Sequence, residues 1–187
     1  MSSSSWVVHK FGGTSVADAE RYRNVAAIVR ADAEGARIGV VVSAMAKVTD
    51  ALLEVCALAS KRDDGYLVKL DAIAKRHEQV ADALLDARAA SSLKEKVAQD
   101  IVDLRDILRA SRLLGHRTDA IDEYVSGHGE VWSAHMLSAH LGVPFVDARK
   151  VLVVRPSDLG PMVDWPVSRA RTHAAVGDAK LVVITGF

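Results

Sequence analysis

The run Ile38-Gly39-Val40-Val41-Val42 offers no polar side chain to water on either of its faces. A strand of that kind is covered on both sides, which is the habit of parallel sheets sheathed in helices. The residues before it fit such a unit. Trp6-Val7-Val8 are β-formers and read as a short buried strand. From about Asp18 to Ala33 the spacing is helical, with Tyr22, Val25, Ala26, Ile28 and Val29 forming an apolar stripe and Gly35 punctuating the end. Strand, helix and fully apolar strand together predict an α/β fold with a mostly parallel central sheet.

The remainder alternates less regularly. Ala51 to Ser60 reads as helix, Arg62 to Gly65 as a turn, and Tyr66 to Leu114 as a helical hairpin broken at Ser91-Ser92. Its charges suit a solvated face, and no chemistry is assigned to it. Thr118 caps a third long helix that Gly142 and Pro144 end near Leu141. Short strands are expected at Pro144–Val146, Val151–Val154 and Leu181–Thr185, with a polar turn at 147–150, a two-proline loop at 155–161 and a helix at Val167–Val176. At 187 residues the chain is one domain or most of one.

A formal net charge of zero gives nucleic acid binding no electrostatic support. No apolar run is long enough to span a bilayer, so no membrane role is expected. The polar start, Met1 to Ser5, lacks the apolar segment of a signal peptide. The single cysteine, Cys56, lies in an alanine- and leucine-rich stretch and reads as a small core residue, which suits a reducing, cytoplasmic setting.

Chemistry concentrates at Lys10-Phe11-Gly12-Gly13-Thr14-Ser15-Val16. Gly12 and Gly13 allow a sharp turn and close approach of a ligand to the backbone. Thr14 and Ser15 are placed to cap the next helix, whose N-terminus favours an anion. Lys10 adds a mobile positive charge. These parts make a phosphate cradle; the plainer alternative is a strand-to-helix turn beside a solvated lysine. The order of residues matches neither G-x-x-x-x-G-K-[ST] nor G-x-G-x-x-G. Ser43-Ala44-Met45-Ala46 follows the second strand at its carboxyl end, the ligand-binding edge of open parallel sheets. Thr49 stands where the next helix begins, either as its N-cap or as a ligand group. In Ser126-Gly127-His128-Gly129-Glu130, two glycines within three residues weaken a helix and imply a close approach, with Glu130 projecting beside it. The alternative for Glu130 is an exposed helical side chain. His128, Glu130, His135 and His140 share that helix at H-x-E-x4-H spacing. Glu130 points away from His128 and no cysteine pair helps, so no metal site is expected.

The Lys10–Val16 stretch resembles the opening motif of the aspartokinases, in the amino acid kinase family. Val42 to Asp50 and Ser126 to Glu130 resemble the same family in the same order, and Val183-Ile184-Thr185-Gly186-Phe187 is a fourth, weaker match. The resemblance covers essentially the whole chain. It implies a three-layer αβα sandwich of the carbamate kinase-like type plus the helical hairpin. It also implies transfer of the ATP γ-phosphoryl group to the β-carboxylate of L-aspartate, with Mg²⁺ carried on ATP, in a homo-oligomeric full-length protein. On that resemblance Lys10 is the catalytic residue. Phe11, Gly12, Gly13, Thr14 and Ser43 are placed at the phosphates. Thr49, Glu130 and the Phe187 backbone are placed at aspartate, with Glu130 on its amino group. Aspartokinases continue past the matching Gly-Phe into an adenine- and ribose-binding half. The 187 residues are therefore expected to form the N-terminal part of a catalytic domain, truncated on its C-terminal side and inactive alone. Two alternatives stay open. One is another family member, acting on glutamate, acetylglutamate, carbamate or a nucleotide. The other is a non-catalytic or partner-dependent fragment.

Overall fold

The computed structural model describes residues 5–33, 36–158 and 160–186. The expected helix stop at Gly35, the start at Met1–Ser4 and the site position Phe187 lie outside the described residues.

Strand β1 (Trp6–Phe11) pairs in parallel with β2 (Arg37–Val42), setting Val8 beside Gly39 and Phe11 beside Val42. The last strand in sequence, β6 (Leu181–Thr185), inserts on the far side of β2, and β3 (Phe145–Val146) pairs with β6, also in parallel. The order among the described residues is β1-β2-β6-β3. All four strands therefore end on one edge, at Phe11, Val42, Thr185 and Val146.

Period-two alternation divides the sheet into two faces. Ile38, Val40, Val42 and Val183 point into the main core. Against them lie α1 (Ala19–Asp32), through Tyr22, Val25 and Val29, and α5 (Asp119–Leu141), through Trp132, Met136 and Leu137. Behind these pack α2 (Val48–Ser60), α3 (Gly65–Leu84) and α4 (Ala87–Leu114). On the other face Val146 and Val182 meet Val151 and Val176, from α6 (Ala148–Val151) and α7 (Trp165–Val176). The result is the three-layer αβα arrangement with a helical hairpin, α3 and α4, beside it. Cys56 is buried in the core, where desolvation pushes its thiol up to about 12.

Several local expectations are corrected. β1 is not buried: it is the sheet's edge among the described residues, and Val8 is 65% exposed on an open groove that it shares with residues of α7. Ile28 stands outside the apolar stripe of α1 and is 49% exposed. The hairpin breaks at Leu85-Asp86, where the Asp86 carboxylate accepts the Ala89 N–H at 2.9 Å; Ser91 and Ser92 continue α4. Asp147 likewise accepts from the Arg149 N–H and starts α6, so Val151 ends a helical turn and no strand spans Val151–Val154. The short strand there is β4 (Val154–Arg155), antiparallel to β5 (Met162–Val163) and closed by an Arg155–Asp164 ion pair.

Candidate active site

The shared edge of the parallel strands gathers three loops. Phe11 leads into Gly12 and a 3₁₀ turn at Gly13–Val16, in which Ser15 N–H donates to Gly12 C=O at 2.9 Å. Thr14 and Ser15 lie inside that turn. The helix that follows is capped instead by Asp18, which accepts the Arg21 N–H at 2.9 Å. Ser43 N–H donates to Phe11 C=O at 3.1 Å and ties the second loop to the first; Gly186 N–H donates to Val42 C=O at 3.1 Å and ties the third.

Two glycines are required here by contact. A Cβ on Gly13 would stand 2.8 Å from the Ala44 carbonyl oxygen, and one on Gly186 would stand 2.8 Å from the Val42 carbonyl oxygen. Both neighbours are backbone, so neither can yield cheaply. Gly12 differs: a Cβ there would meet nothing within 4 Å, leaving the space over the turn open to a ligand.

The glycine interruption in α5 has a packing cause. A Cβ on Gly129 would meet Val48 Cγ1 at 2.9 Å and the Ala44 Cβ at 3.0 Å. The close approach is made by the start of α2 and the loop before it. That contact carries Glu130 to the sheet edge, where its Oε2 lies 3.4 Å from the position a Gly186 Cβ would take. Glu130 is half-buried, and its Oε2 is buried without a hydrogen-bond partner among the described residues. Desolvation lifts its carboxyl above the ordinary value, opposed by the Ala44 N–H and the charge of Lys10.

The structure thus brings Lys10, Phe11, Gly12, Gly13, Ser43 and Glu130 to one edge. Thr14 is exposed within the 3₁₀ turn, and Ser43 and Thr49 are half-buried. Thr49 is not the N-cap of α2. Lys47 holds that position, in the left-handed conformation at φ 66°, and caps with no side-chain hydrogen bond. Thr49 stands in the first turn, directly after Val48. Two participants escaped the sequence reading: the Ala44 N–H, which carries no side-chain signature, and Arg76 of α3, whose Nη1 donates to Ala46 C=O at 2.8 Å.

The histidines of α5 are occupied elsewhere. His128 bonds the Tyr124 carbonyl through Nδ1 and packs on Tyr124 and Trp132, while His135 stacks on Phe145. Burial pushes His135 down to about 4, so it is neutral at pH 7. The two described grooves, of about 370 and 440 Å³, lie away from this edge. The first runs between Trp6, Val8 and Trp165 on the second sheet face, the second beside the start of α4 and His135; none of the residues gathered at the sheet edge lines either.

Open parallel α/β sheets bind ligands at the carboxyl edge of their strands, and here that edge carries a glycine turn, a lysine and a half-buried glutamate. The sequence pattern of the amino acid kinase family matches residues 5–187, and the chain belongs to that family. It is 41% identical over 98% of its length to the bifunctional aspartokinase/homoserine dehydrogenase 1, chloroplastic, of Arabidopsis thaliana, covering 21% of that protein. It is 32% identical over 96% of its length to the bifunctional aspartokinase/homoserine dehydrogenase 2 of Escherichia coli, covering 22%. Among solved structures, E. coli aspartokinase III in complex with aspartate and ADP superposes with a TM-score of 0.82 at 27% identity, over 98% of this chain and 41% of that one. The chain thus spans about a fifth of the length of these curated relatives.

Proposed function

We propose that this chain supplies the aspartate-binding and phosphate-binding edge of an ATP-dependent aspartate kinase, which forms 4-phospho-L-aspartate and ADP. The observation that carries the reading is Glu130: a carboxylate oxygen buried without a partner, on the glycine-thinned side of α5, at the edge where Lys10 and the Gly12-Gly13 turn also lie. A buried carboxylate oxygen left without a hydrogen bond is costly. A substrate ammonium would satisfy it. The solved relative in complex with aspartate and ADP supports the same choice of ligands.

The β-carboxylate of aspartate is ionised at pH 7 and needs no general base. The difficulty is bringing an anion to an anionic phosphate. Catalysis is then positioning plus neutralisation of charge spreading over the phosphoryl oxygens. Lys10 supplies the mobile cation and the open space over Gly12 admits phosphate oxygens to backbone N–H groups, with Phe11, Thr14 and Ser43 at the same edge. Thr49 is assigned to the aspartate side, as the resemblance implies; Phe187, which the resemblance also assigns there, lies outside the described residues. Mg²⁺ carried by the ATP phosphates would add further neutralisation.

A second reading, in which turnover needs further polypeptide, is favoured by the exposed end of the second face: Val8 and Trp165 are each 65% exposed. A cytoplasmic, homo-oligomeric parent protein belongs to this proposal. Both readings meet in one experiment, aspartate-dependent acyl-phosphate formation from MgATP trapped with hydroxylamine, with Lys10→Ala beside it. In any chain that turns over, loss of Lys10 should cut kcat by about 10²-fold or more with a smaller change in aspartate KM. A kcat within a few-fold of the parent would remove Lys10 from the chemistry. Product from the 187 residues alone would exclude the second reading.

A further inference from the structure

Arg76 sits on the hairpin helix α3, remote in sequence from every motif at the sheet edge. Its guanidinium nevertheless reaches two of the three edge loops. Nη1 donates to the Ala46 carbonyl at 2.8 Å and Nη2 to the Ala17 carbonyl at 3.1 Å. Ala17 closes the glycine turn's 3₁₀ segment, and Ala46 closes the loop after β2. These loops already touch at their other ends, where Gly13 abuts the Ala44 carbonyl. Arg76 is half-buried, and among the described residues it forms no ion pair with a carboxylate. The planar fork of arginine suits two carbonyls held at a fixed separation; a lysine ammonium is a point charge that cannot match that geometry.

The Ala46 carbonyl belongs to the peptide that enters Lys47, and Lys47 is one of two described non-glycine residues with positive φ. Such a conformation persists only where its surroundings over-determine it. The Arg76 bond fixes that peptide plane, and with it the direction in which α2 starts and the position of Ala44, whose N–H faces Glu130.

We propose that Arg76 is a positioning residue: it locks the glycine turn and the loop after β2 into one rigid ligand-binding edge, and couples the otherwise unassigned hairpin to the site. The loops' ligands rest on the kinase reading above; the lock itself does not.

The test combines hydrogen exchange by mass spectrometry with MgATP titration, on the full chain and on Arg76→Ala and Arg76→Lys. In Arg76→Ala, amides of residues 13–17 and 44–48 should exchange about tenfold faster or more, while those of 93–108 in α4 stay within about twofold. Arg76→Lys should recover part of the protection in one loop and not both. In a Lys47→Gly background the effect of Arg76→Ala on 44–48 should shrink, because the strained peptide no longer needs holding. Where the parent binds MgATP, Arg76→Ala should weaken it about fivefold or more with Tm nearly unchanged. Unchanged exchange in both loops, or a uniform rise across the chain, would overturn the lock. A variant that fails to fold leaves Arg76→Lys to decide by the same loop-specific criterion. If the parent binds no MgATP, the kinase reading loses support while the exchange result still decides the role of Arg76.

Discussion

At Glu130 two demands oppose each other. The unliganded carboxylate is partly stripped of water, and burial outweighs the Ala44 N–H and Lys10 in setting its protonation. Its folded-state value is raised, so the free protein holds that proton at higher pH than an unfolded chain would. The cost of keeping the group charged is fully present above the raised value and is relieved as pH falls through it. A bound ammonium reverses the preference. Glu130→Gln should therefore raise the Tm of the free protein near neutral pH while abolishing aspartate binding, measured by calorimetry of the two forms. For the parent, aspartate affinity should fall as pH drops through the raised Glu130 range; a flat profile across that range would detach Glu130 from the ammonium. Lys47 makes the complementary case. A left-handed lysine costs about 1 kcal/mol that glycine does not pay, so Lys47→Gly should stabilise the fold by up to about that amount in urea melts, offset in part by the greater freedom of glycine when unfolded.

At the scale of elements, the site depends on how closely α5 can approach α2. The Gly129 contact with Val48 and Ala44 leaves no room for a methyl group. Gly129→Ala gains helix propensity worth about 1 kcal/mol but overpacks a contact costing about 1–3 kcal/mol. Packing should win, because Val48 is fully enclosed and Ala44 sits on the backbone of the site loop. Net destabilisation together with weaker aspartate binding is expected; a neutral Tm would mean that α5 shifts freely. The hairpin shows the limits of periodicity. Tyr66, Leu70, Ile73, Ala81 and Leu84 of α3 and Leu93, Val97, Ile101, Leu104 and Leu108 of α4 are buried at helical spacing. The break between the helices came at Asp86, not at the serines, because one carboxylate accepting the Ala89 N–H decides a cap while serines are tolerated inside a long helix.

For the whole molecule, one sheet face is sealed by α1 and α5, and the other is half covered. α7 screens β6 and β3, whereas Val8 of β1 stands 65% exposed beside the groove lined by Trp6 and Trp165. Arg37 stacks on Trp6 at 4.3 Å and donates to the Ala179 carbonyl, which holds the strand in place without covering it. An exposed apolar edge of this kind promotes association. Val8→Lys should lower concentration-dependent light scattering with a change in stability of about 0.5 kcal/mol or less. Equal scattering from both proteins would show that the edge is not the sticky surface.

What the sequence determined by itself was local and periodic: a fully apolar strand, helices with one apolar stripe, a glycine turn, and the motifs that marked Lys10, Gly12, Gly13, Ser43, Thr49 and Glu130. Parallel pairing followed from the same signals, and it put the strand ends on one edge without any knowledge of strand order. The tertiary structure decided the rest. It inserted β6 between β2 and β3, left β1 exposed, gave the first helix to Asp18 and the start of α2 to Lys47, and brought Arg76 from the hairpin to two site loops. Burial, capping and carbonyl contacts between distant segments depend on where neighbouring elements stand. That information resides in packing geometry, and no window of neighbouring residues contains it.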